Sequence, residues 1–97
     1  MITVDDIWNA LDEIAATQNV SRSRMAIISG LDATTFNKSK RCDVFGKQRM
    51  PALRTILQVL NQYKMTMADF GVLCDKMQHE RTAAQLKQAS HSEQMDA

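Results

Sequence analysis

Glycine and proline are scarce in this 97-residue chain, which has three of the first and one of the second. So few turn-formers leave little material for the hairpins and bulges of a sheet protein, and helices are favoured. Apolar runs stop at three or four residues, far short of the roughly 20 that span a bilayer. The opening Met1-Ile2-Thr3-Val4-Asp5-Asp6 lacks the basic start and apolar centre of a signal peptide, so a cytoplasmic protein is expected. Cys42 and Cys74 form no CxxC and have no histidine at ligand spacing, while His79 and His91 fall in a polar stretch. A disulfide framework and a zinc site are therefore not expected, nor is any cofactor. Ser21, Ser23 and Ser29 lack a nearby histidine to activate them, so no enzyme is expected and no residue is assigned a catalytic role. A chain this short closes one core and leaves no room for an enclosed ligand pocket.

Net charge is also low, at +1, but it is unevenly spread. Residues 1–19 carry Asp5, Asp6, Asp12 and Glu13 without a base, a net of −4. Residues 20–50 carry Arg22, Arg24, Lys38, Lys40, Arg41, Lys47 and Arg49 against Asp32 and Asp43, a net of +5. The remainder is balanced. A polyanion would be drawn to the 20–50 segment.

Hydrophobic spacing predicts five helices. Val4, Ile7, Trp8, Leu11, Ile14 and Ala15 make one face of a first helix over about 4–18, with Thr3 as N-cap and its acids in the first turn or on the outer face. Ser21 caps a second helix that turns Met25, Ala26 and Ile28 inward and stops at Gly30. Asp32 caps a short third helix through about Ser39, fastened to the core by Leu31 and Phe36. Residues 40–49, KRCDVFGKQR, show no periodicity and read as an extended loop or a small hairpin around Gly46. Pro51 suits the first turn of a fourth helix with Leu53, Ile56, Leu57 and Leu60 buried. Thr66 and Asp69 form a capping-box variant for a fifth, whose stripe is Met67, Phe70, Leu73, Cys74 and Met77. Residues 1–78 are thus one domain, and 79–97 a polar extension, partly helical and then disordered.

Two short helices joined at a glycine form a helix-turn-helix, in which the second helix enters the major groove of DNA. The run S-R-x-x-M-A-x-x-S-G-L-D-x-x-T-F-N-K at 21–38 resembles the lambda-repressor-like, XRE-type family of helix-turn-helix regulators. Thr35-Phe36-Asn37-Lys38-Ser39-Lys40-Arg41 and T-M-A-D-F at 66–70 are similar to the DNA-binding domain of bacterial SOS-repressor-like self-cleaving regulators, here without the peptidase domain. The resemblance covers about residues 4–77. It implies an all-α five-helix bundle that binds double-stranded DNA as a transcriptional repressor, nucleoid-associated when bound. It places Thr34, Thr35, Asn37 and Lys38 as base contacts, with Ser21, Arg22, Lys40, Arg41, Lys47 and Arg49 as phosphate contacts. The connection 40–49 is longer than in the smallest members, which implies added backbone contacts or a wing.

One reading helix covers too few base pairs to select a site, so a homodimer is expected. Met67, Phe70, Leu73 and Met77 are the candidate interface. The competing expectation is a protein-interaction module, an antitoxin or adaptor, using the same helices without DNA.

Overall fold

A computed structural model describes the backbone of residues 1–96 and the side chains of residues 1–86. The chain is all-α, as its composition predicts, with helices α1 (Val4–Thr17), α2 (Arg22–Ile28), α3 (Leu53–Gln62) and α4 (Met67–Asp96). Among the described residues, the only other regular elements are a 3-10 turn at Lys38–Lys40 and an isolated antiparallel bridge between Cys42 and Gln48. Four α-helices stand where five were expected.

The missing one is the helix predicted over Asp32–Ser39. Residues 33–36 form turns with i to i+3 bonds, Thr35 N to Asp32 O at 3.0 Å and Asn37 N to Thr34 O at 3.0 Å. Side chains tighten them. The Thr34 backbone N–H and hydroxyl both donate to Asp32 Oδ1, and the Thr35 hydroxyl donates to Asp32 O. Such local bonds compete with the helical ladder. Asn37 then takes an extended conformation, φ −63° and ψ 144°.

Helix ends follow the chemistry of their residues. Thr3 and Asp6 close a reciprocal capping box on α1, and Thr66 and Asp69 do the same at α4. Ser21 Oγ accepts from Arg24 N at the start of α2. The ends of α1, α2 and α3 each carry the paired 6→1 and 5→2 bonds of a Schellman motif. Their left-handed residues are Asn19, Gly30 and Lys64. α3 opens at Leu53 with Ala52 as N-cap, so Pro51 lies one residue ahead of the cap and two ahead of the first turn where it was expected.

The core joins Trp8, Leu11, Ile14 and Ala15 of α1 to Met25 and Ala26 of α2, Phe36, then Ile56, Val59 and Leu60 of α3. α4 packs along α1 and contributes Phe70, Cys74 and Met77, with Leu73 packed against the cluster. Phe70 and Met77 are therefore sealed within the monomer, which corrects their expected place at a dimer interface; Met67 is outside. On α3 the buried face is Ile56, Val59 and Leu60 with Tyr63 partly buried, while Leu53 and Leu57 are exposed. Ile28 is also exposed, not inward. Burial pushes the Cys74 thiol pKa up, with Asp75 and Asp6 adding to the shift.

Asp6 stands in the first turn of α1, as expected, but is fully buried there. Its oxygens accept from Thr3 N at 2.8 Å and from Arg81 Nε and Nη2 at 3.1 and 3.2 Å. Arg81 also donates to Met1 O, tying the chain start to α4. Without glycine or proline after Gly71, α4 continues to Asp96.

The Arg81 guanidinium above all, then the bonds from Thr3, hold the Asp6 carboxyl below its ordinary value against the opposing effect of burial. A depressed carboxylate contributes stability above its unfolded pKa that is lost as pH falls through the folded value. Replacing Arg81 with Met should thus lower Tm at pH 6, and the gap to wild type should shrink towards pH 3. A gap independent of pH would rule out the pair as its source. Lys64, held at φ +54°, makes a second test. Lys64→Gly should raise unfolding free energy by about 0.5–1 kcal/mol in urea titrations.

Candidate nucleic-acid interface

Between α2 and α3, residues 29–52 contain no α-helix. A connection of this length is uncommon within a compact domain. Polar side chains of α1 hold it. Trp8 Nε1 donates to Arg49 O at 2.8 Å. Arg41 forks onto Asp12 through Nη1 and Nη2 at 3.0 and 2.7 Å, donates to Phe36 O at 2.9 Å, and lies over the Trp8 ring. From α3, Gln58 Nε2 donates to Ser29 O at 3.1 Å.

Within this frame residues 41–49 fold as a small hairpin around Gly46, one of the two forms expected. Asp43 N donates to Lys47 O and Arg49 N to Arg41 O, both at 2.8 Å. Val44, Phe45 and Gly46 make the connection, closed by Gly46 at φ +79°. Asp43 Oδ1 accepts from Phe45 N and Lys47 N, stapling the turn from within.

The predicted contact residues divide sharply. Arg41 is not a free cation: its side chain is 12% exposed and serves Asp12. Arg22 leans toward the same carboxylate at 3.9 Å but stays exposed at the first turn of α2. Ser21 spends its hydroxyl as the α2 cap. Lys38, Lys40, Lys47 and Arg49 are exposed, as is Arg24, and form no ion pair among the described residues. Thr34 and Thr35 donate their hydroxyl protons to Asp32, leaving oxygen lone pairs but no free donor. Asn37 is exposed at the head of the 3-10 turn and makes no side-chain capping bond, so its amide is free.

Thr34, Thr35, Lys40 and Arg49 line one open cleft of about 340 Å³, floored by Trp8 and Pro51 and reaching Ala52 and Thr55. The first turn of α3 meets this cleft with neither a side-chain cap nor an acid, so its positive end is uncovered. Asp32 is the acid of the cleft, held ionised by the Thr34 backbone N–H and then its hydroxyl, which lower its pKa.

Sequence reasoning missed the anchoring of Arg41 and the uncovered start of α3. Trp8 and Asp12 stand four residues apart on one helix, which brings their side chains together, but nothing local ties either to position 41. No helix of the described residues is long and apolar enough to cross a membrane. Comparison of the chain with family models, curated proteins and solved structures finds no match.

The division predicts two kinds of variant. Arg41→Ala should cost about 2–3 kcal/mol of stability, since it strips bonds from Asp12 and Phe36 O. Lys38→Ala should stay within about 0.5 kcal/mol of wild type. Urea denaturation of both variants checks this. Equal stabilities would remove Arg41 from the frame.

Proposed function

We propose that this chain is a sequence-specific double-stranded DNA-binding regulator, of the lambda-repressor-like helix-turn-helix kind, acting as a repressor by occupying its site. The observation that carries the proposal is the shared cleft. Hydroxyl oxygens of Thr34 and Thr35, two cations, Lys40 and Arg49, and the bare α3 terminus converge on one open surface. Lys38, Lys47 and Arg24 are further exposed cations of the same 20–50 segment. A phosphate backbone has the charge to meet such a surface.

The reading element is then a run of turns ending in a 3-10 segment, in place of a regular recognition helix. Asn37 and Lys38 become the readers, because their polar ends are free. The threonines contribute oxygen acceptors and methyl groups. Two copies related by a two-fold axis would read half-sites about 34 Å apart. Phe70 and Met77 are occupied in the core, which moves any pairing surface to the exposed Met67 and Val72 of α4.

With about five cations on phosphates, log K should fall against log salt with a slope of roughly −4 to −5. Absence of duplex binding at low salt would defeat the proposal. Asn37→Ala should cost about 1–3 kcal/mol at particular base pairs and relax preference there, while Lys47→Ala should weaken all sequences alike. Binding selections with each variant separate the two effects.

A further inference from the structure

The hairpin ends in two large apolar side chains that the fold does not use. Val44 is 92% exposed and Phe45 91%, whereas the other two phenylalanines, Phe36 and Phe70, are buried. The tip is also held in shape. Asp43 Oδ1 fixes the amides of Phe45 and Lys47, and the Trp8 bond to Arg49 O fastens the second arm to α1. A turn stapled in this way projects its side chains with little ordering left to do on binding.

The surroundings of the tip define its partner. Lys40 and Arg49 line a shallow depression with Val44, Ser39 and Cys42 at the base of the hairpin, and Lys47 follows the turn directly. The acid there, Asp43, has one oxygen already taken by two amides. An apolar point set among cations suits a polyanion with an apolar interior. Duplex DNA is that: phosphates outside, stacked bases within.

We infer that the Val44–Phe45 tip is a wedge that enters the minor groove and lodges Phe45 against a base step, partly unstacking it. This rests on the DNA-binding reading and adds a second contact mode, one that recognises deformability rather than base edges. Flexible pyrimidine–purine steps, TA above all, are its favoured target.

The test uses the full chain and a mixed-sequence duplex carrying 2-aminopurine at its TA steps. Wild type should bind at low salt and raise the probe's fluorescence as the step opens. Phe45→Ala should abolish the rise and weaken binding about tenfold, with the salt slope unchanged because no cation is lost. Phe45→Trp should keep the rise. Lys47→Ala should keep it too while lowering the slope by about one. The exposed position predicts an unchanged Tm for Phe45→Ala, which excludes misfolding as the cause. Equal affinity and equal fluorescence for wild type and Phe45→Ala overturn the wedge alone. Failure of wild type to bind any duplex overturns the DNA reading along with it.

Discussion

The fork between Arg41 and Asp12, laid over the ring of Trp8, is the constraint on which the irregular segment between α2 and α3 depends. Helices organise themselves through local bonds and one apolar face. The stretch from Ser29 to Ala52 has local bonds that close single turns but no repeating ladder and no apolar face, and its few apolar anchors, Phe36, Leu31 and Pro51, fix position more than shape. A guanidinium that binds a carboxylate at two points and a carbonyl at a third supplies the missing direction. The Asp12 pair is partly screened from water, so its attraction is less diluted than that of a surface pair.

Charge is used economically. Asp6, Asp12 and Glu13 of α1 each face a base, namely Arg81, Arg41 and Lys76. The acidic start of the chain therefore works as internal glue, leaving little negative potential to offset Lys38, Lys40, Lys47 and Arg49. The +5 of the 20–50 segment counts Arg41 as though it faced solvent. Removing it from the surface changes which contacts are available while leaving the sign of the field intact.

Much of the fold is legible in the sequence because it is governed by local chemistry. The caps at Thr3, Ser21 and Thr66, the stop at Gly30 and the hairpin at Gly46 all follow from single residues acting on their own backbone. The failures lie elsewhere. On α3, the expected set Leu53, Ile56, Leu57, Leu60 and the inward set Ile56, Val59, Leu60 and half-buried Tyr63 have the same spacing. They differ by three residues, and periodicity alone cannot choose between them. The Asp32–Ser39 helix failed because Asp32 and two threonines can close turns as readily as they cap a helix. Within the candidate interface, Lys38, Lys40 and Lys47 are exposed, as charged residues outside an apolar stripe ordinarily are. The burial of Arg41 depends on a partner 29 positions away, and no local pattern carries that information.

One detail of the frame bears on how such a surface can change over generations. Trp8 grips the carbonyl of Arg49, and Asp43 grips the amides of Phe45 and Lys47. Each is a backbone group that almost any residue would supply. The side chains at 45, 47 and 49 are thus released from structural duty, while Trp8, Asp12, Arg41 and Asp43 carry it. A lineage can rewrite the outward positions one at a time without dismantling the scaffold, so divergence of this surface need not pass through unstable intermediates.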